Sequence, residues 1–141
     1  PYVIEFNVRM GDPEAQVILP LMETDLIDVM TSCIEGNIDR QSIAWGTESC
    51  VGVVAASGGY PDEYKVGCSI DVGDIEEDVQ VFYGGKDINE DGDLVTAGGR
   101  VLTVVAKSNE LFDARSIVYR NLKQITFNDM YYRNDIGIIT K

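Results

Sequence analysis

The residues best suited to chemistry stand together at the start of the chain, in Glu5-Phe6-Asn7-Val8-Arg9. If residues 2–10 form a strand, side chains two apart leave the same face with Cα atoms ~6.5 Å apart. Glu5 and Asn7 then each offer an oxygen to one hard cation, at the ~2.1 Å that Mg²⁺ requires, with water and phosphate oxygens filling its other positions. Arg9, one step further along that face, is placed to hold an anion beside the metal. The plain alternative is a strand whose outer face is simply solvated. Further along, Arg100 follows Gly98-Gly99 inside a strand pattern. Such a site admits a close backbone or a ligand, or it is a β-bulge with Arg100 at the surface. Arg133 and Asp135 form either a surface ion pair or an anion-orienting pair on a tail folded back toward a site.

The elements that must position these groups follow from periodicity. In residues 2–10, Tyr2, Ile4, Phe6, Val8 and Met10 share one face, with Glu5, Asn7 and Arg9 on the other. Asp12-Pro13-Glu14 is a helix start, with Asp as N-cap, Pro at the first helical position and Glu facing the positive end of the dipole. That helix ends before Pro20. Thr24 is the cap expected for a second helix, carrying Leu26, Ile27, Met30, Cys33 and Ile34 to a stop at Gly36. Residues 37–49 are turn-like around Trp45-Gly46 and divide the chain in two. Beyond them, strands are expected at 51–56, 64–70 and 79–83, two or three more within 94–106, and an acidic helical turn at 74–78. Ser108 is the cap expected for a long final helix at about 109–125, bearing Leu111, Ala114, Val118, Leu122 and Ile125. Asp87-x-Asn89-x-Asp91-Gly92 imitates half of a calcium loop, but its twelfth position is Gly98 and its flanks are strand-like. It reads as a hairpin turn.

Composition narrows the function classes. With 11 Lys+Arg against 24 Asp+Glu and no His among 141 residues, the chain carries a formal charge of −13. Such a surface repels polyanions and argues against nucleic acid as a partner. The longest apolar runs fall far short of the ~18 residues that span a bilayer. Cys33, Cys50 and Cys68 are odd in number and lack CxxC spacing, so they read as free thiols in a reducing, cytoplasmic setting and not as a zinc site. A chain that opens at Pro1 directly into strand-like sequence reads as a piece of a longer polypeptide.

The run PYVIEFNVRMGDPEAQVILP resembles the end of the catalytic domain of ATP-grasp ligases, whose Glu-x-Asn-x-Arg strand carries magnesium ligands. Its continuation into Gly-Asp-Pro-Glu-x-Gln is similar to the phosphoribosylamine–glycine ligase family in particular. Ser57-Gly58-Gly59-Tyr60-Pro61, Thr96-Ala97-Gly98-Gly99-Arg100-Val101-Leu102 and Tyr132-Arg133-x-Asp135-Ile136-Gly137 match that family in order. The resemblance implies an α+β fold in two parts. Residues 1–43 are the terminal strand and helices of an ATP-grasp catalytic domain, and 47–141 a small strand-rich C-terminal domain closed by the long helix. It implies Glu5 and Asn7 as ligands of Mg²⁺ or Mn²⁺, Arg9 as the catalytic group facing phosphoryl charge, and Asp12, Glu14, Arg100, Arg133 and Asp135 near the substrates. Those substrates are ATP, glycine and 5-phosphoribosylamine, joined to glycinamide ribonucleotide with release of ADP and phosphate in purine biosynthesis. The sequence departs from the family twice. The glycine-rich nucleotide-binding parts before the Glu-x-Asn strand are absent, and Gly84-Gly85-Lys86-Asp87 lacks the expected threonine. The chain alone is therefore expected to be inactive, and its exposed first strand to pair with a second copy or to refold. A different class of reading is an acidic, non-catalytic β-domain used for packing or assembly, with Glu5 and Asn7 inherited but unused.

Overall fold

The computed structural model describes residues 1–139, so the last two residues of the expected C-terminal domain, Thr140 and Lys141, lie outside the described residues. In chain order the elements are α1 (Ala15–Ile18), α2 (Leu26–Ile34), β1 (Ser49–Ser57), β2 (Asp71–Val72), β3 (Gln80–Tyr83), β4 (Lys86–Ile88), β5 (Leu94–Thr96), β6 (Arg100–Ser108), α3 (Leu111–Leu122), β7 (Ile125–Thr126) and β8 (Met130–Tyr131), with single 3₁₀ turns at Leu19–Leu21 and Ile38–Arg40. No helix among them is long and apolar enough to cross a membrane.

The organising unit is an antiparallel sheet in the order β3-β6-β1-β8. β1 and β6 are nine-residue strands in which Val53 opposes Val104 and Ser49 opposes Ser108. On one face Val51, Val53, Ala55, Leu102, Val104 and Ala106 meet Ala114, Val118 and Leu122 of α3 in a single core cluster. Each fully buried Val or Leu side chain there contributes ~1.5–3 kcal/mol. On the other face α1 approaches β1, where Gly52 leaves room for Val17.

Asn121 is the polar exception in this core, being buried on α3. Its amide donates to Glu76 Oε1 (2.8 Å) and the Ile117 carbonyl (2.9 Å), while its Oδ1 accepts the Glu76 N–H (2.9 Å). Arg120 adds two further bonds to the Glu76 carboxylate at 2.7 and 2.8 Å. Hydrogen bonds from Arg120 and then Asn121 bring the Glu76 carboxyl down to about 2 from an ordinary 4.5. The acidic segment 74–78 is thus an irregular strap fastened to α3, not the solvated helical turn its composition suggests.

Several local expectations are corrected. Residues 2–10 form no strand, because no other segment among the described residues offers them a ladder. Asp12 does not cap α1, whose first residue is Ala15, and the side chain of Glu14 folds back over Gly11 without capping. Asp25, not Thr24, caps α2 by accepting the Ile27 N–H at 2.8 Å; the Thr24 hydroxyl instead accepts the Ala44 N–H at 2.7 Å. Ser108 remains in β6, paired with Ser49, so the helix begins later, at Leu111, and Ile125 passes into β7. Residues 64–70 run beside β5 through bonds from Gly67, Cys68 and Ile70, but a positive φ of 79° at Gly67 interrupts any regular strand. The Asp/Asn/Gly-rich loop does join β4 to β5 as a hairpin.

Candidate functional site

A cleft of about 230 Å³ opens where β1 loses its outer neighbour. β8 pairs with β1 only at Ala56 and Ser57, so the stretch Gly52–Val54 lines the opening with an unpaired edge. Pro13, Tyr60, Arg100, Tyr132, Arg133 and Ile136 form much of the rest of the wall. The lining is mainly apolar with two guanidinium groups, an arrangement suited to a small body carrying an anionic end.

Each wall has a local cause. Gly98-Gly99 leads into a β-bulge: Ala55 opposes Leu102 and Ala56 opposes Arg100, leaving Val101 as the extra residue. The glycine pair thus serves a bulge, and the bulge sets Arg100 on the cleft. Glycine is required at 99, because a Cβ there would collide with the ring of Tyr60. Tyr60 in turn meets Tyr64 edge-on, with ring centroids 5.9 Å apart.

The arginines are held differently. Arg100 donates through Nη1 to the Asp12 carbonyl at 3.0 Å, and its Nη2 stands 3.2 Å from Asp12 Oδ2. Asp12 also accepts from Gln16 at 2.8 Å. The pair is half exposed on both sides, so the link is worth ~0–1 kcal/mol, but it joins the loop before α1 to the cleft. Arg133 gives Nε and Nη2 to the two oxygens of Asp135 at 2.8 and 2.6 Å. That fork lowers the Asp135 carboxyl below its usual range and raises the Arg133 guanidinium.

Of the site residues read from the sequence, the fold brings Arg100 and Arg133 to one cleft, with Asp12 and Asp135 as their carboxylate partners. Glu14 lines no part of it, its side chain lying over Gly11. Glu5, Asn7 and Arg9 are exposed and also lie outside its lining. The Asn7 amide donates to Glu5 Oε1 at 2.8 Å, and Arg9 donates to the adjacent Met10 carbonyl at 3.0 Å. The two side chains thus meet through a local hydrogen bond and not through the strand geometry on which the i, i+2 reading rests. Among the described residues no cluster of three or more His, Cys, Asp or Glu forms a metal-binding group. Tyr60, Tyr131 and Tyr132 are cleft residues that sequence reasoning missed, although Tyr60 and Tyr132 stand inside the family-like motifs.

A family model described as the C domain of phosphoribosylglycinamide synthetase matches residues 50–138, which hold the whole cleft apart from Pro13. The chain belongs to this family. Beyond the C domain, the likeness extends into the leading segment. The chain is 47% identical over 139 residues to the bifunctional purine biosynthetic protein purD of Dictyostelium discoideum, covering 96% of this chain and 17% of that protein. It is 42% identical to the phosphoribosylamine–glycine ligase of Caldanaerobacter subterraneus, covering 97% of this chain and 33% of that one. The crystal structure of phosphoribosylamine–glycine ligase from Thermotoga maritima superposes with a TM-score of 0.73 at 31% identity, over 96% of this chain and 33% of its own. The C domain and its leading segment thus span about a third of the length of these two ligases.

Proposed function

We propose that this chain is the C-terminal part of an ATP-dependent carbon–nitrogen ligase that joins glycine to 5-phosphoribosylamine, in the cytoplasm, yielding glycinamide ribonucleotide, ADP and phosphate. The observation that carries the reading is likeness along nearly the whole chain to proteins named for that ligase, in the stretch that brings Arg100 and Arg133 to one cleft. In this reading residues 1–43 belong to the catalytic domain and 47–141 to the C domain. The cleft takes the phosphoribosyl group, with Arg133 and Arg100 meeting its phosphate and the tyrosines packing against the sugar. Asp12 and Asp135 orient those arginines, and Glu14 stays near the substrates on the loop before α1.

The donor set at the start of the chain fits a hard divalent cation: Glu5 carries a carboxylate and Asn7 an amide, and the two side chains are neighbours, the Asn7 N–H donating to Glu5 Oε1. These two residues would hold Mg²⁺ or Mn²⁺, which when bound neutralises charge on the phosphates of ATP. Arg9 stabilises phosphoryl charge on the same side. The groups that position the γ-phosphate lie outside this chain, so alone it does not catalyse the reaction. The exposed apolar residues 2–10 favour self-association of the isolated chain.

The test uses a ligase-length polypeptide carrying this chain as its C-terminal third. Glu5→Gln is expected to lower glycine- and phosphoribosylamine-dependent ADP release by about 100-fold or more. An unchanged rate would leave Glu5 unused and favour a packing or assembly domain.

A further inference from the structure

The cleft owes one wall to a segment with no ladder of its own. Residues 132–136 follow β8 as irregular backbone, so their polar groups must be met from elsewhere. Two side chains of α3, four residues apart and hence on one helical face, meet them. The Tyr119 hydroxyl donates to the Arg133 carbonyl at 2.6 Å and accepts the Ile136 N–H at 3.2 Å. Arg115 donates through Nε to the Ile136 carbonyl at 2.9 Å and through Nη2 to the Asn134 carbonyl at 2.6 Å. The two holders also support each other. The Arg115 guanidinium lies 4.5 Å over the Tyr119 ring, and that ring packs on Tyr132 with centroids 6.3 Å apart.

We propose that Arg115 and Tyr119 are positioning residues for ligand binding in the cleft, holding residues 133–136 so that Arg133 and Ile136 stand in its wall before any ligand arrives. The proposal rests on the phosphoribosyl reading of the cleft given above. Neither residue lines the cleft. They act through the backbone they fix, removing from the binding step the ordering of a segment that would otherwise be loose. Asp135 completes the arrangement by occupying Nε and one Nη2 proton of Arg133, which leaves the rest of the fork for a phosphate.

The test is titration of ribose 5-phosphate into the 141-residue chain, with amide hydrogen exchange at Ile136 read in the same samples. Tyr119→Phe is expected to weaken ribose 5-phosphate by about fivefold or more and to strip protection from the Ile136 amide. Arg115→Lys, which keeps the charge but not the paired donors, is expected to fall between it and the parent chain. Glu76→Gln serves as control, since it loosens α3 from the 74–78 strap without touching residues 133–136; its affinity is expected to stay within about twofold of the parent. Loss of Ile136 protection with unchanged affinity in Tyr119→Phe would overturn the proposal, as would equal weakening by Glu76→Gln, which would mark a general effect of helix stability. A parent chain that does not bind ribose 5-phosphate would instead overturn the phosphoribosyl reading beneath it, a distinct failure visible before any variant is compared.

Discussion

Residues 2–10 and β1 carry similar strand-forming sequence and meet opposite fates. In β1, Val53 is 1% exposed, paired along one edge with β6 and covered by α3. In the leading segment Tyr2 is 98% and Val8 99% exposed, and no strand forms. The same contrast holds between helices: α3 buries Ala114, Val118 and Leu122, whereas α2 buries nothing and leaves Ile27, Met30 and Ile34 open. An apolar pattern states which face of a segment must be covered; it does not supply the cover. Within 49–136 the two long strands and α3 find their complement in the chain, and that is where the cleft, apart from Pro13, is formed.

The difference can be broken at its strong side first. Leu122→Ala, at a fully buried position of α3, is expected to cost ~2–5 kcal/mol in urea unfolding. A cost below ~1 kcal/mol would mean that the β1–β6–α3 core does not hold the fold. A smaller effect is expected from the strap that binds residues 74–78 to α3. The Glu76 carboxyl titrates lower in the folded chain, at about 2, than its ordinary 4.5, so its stabilisation is complete above that ordinary value and disappears as pH falls through about 2. Thermal midpoints of the parent chain and Glu76→Gln are therefore expected to differ by a constant amount near neutral pH and to converge in acid. A gap that persists at about pH 2 would assign the difference to packing instead of charge. The smallest effect belongs to the leading segment: in the chain diluted to a monomer, Ile4→Ser is expected to change stability by no more than ~0.5 kcal/mol. A larger loss would show that residues 2–10 are packed in solution.

Much of the C domain was legible because its signals are local and its partners lie within reach. The run from Val51, the alternation near Val79–Tyr83, the Asn89–Asp93 turn and the helical spacing of Leu111, Ala114, Val118 and Leu122 each name an element that the fold contains. Boundaries were less legible where two elements compete for one residue. Ser108 is a good cap in isolation, but pairing with Ser49 keeps it in the ladder. Asp12 is an equally good cap in isolation, yet Arg100, 88 residues away, engages it. The glycine pair before Arg100 and the family-like motif around Arg133 marked them as candidates but not their shared cleft, which depends on a bulge at Val101 and on a tail fastened by Arg115 and Tyr119. On α3 these two read as ordinary helix-surface residues, since the groups they bind lie on backbone with no sequence signature.

The cleft takes no part of its wall from residues 2–10. Ribose 5-phosphate titrated into the isotope-labelled chain, followed residue by residue by NMR, tests this. The predicted result is saturable shifts confined to the cleft wall, from Pro13, Gly52–Val54 and Tyr60 to Arg100 and Arg133, with residues 2–10 unmoved. Shifts centred on Glu5 to Arg9, or none at the cleft, would contradict it.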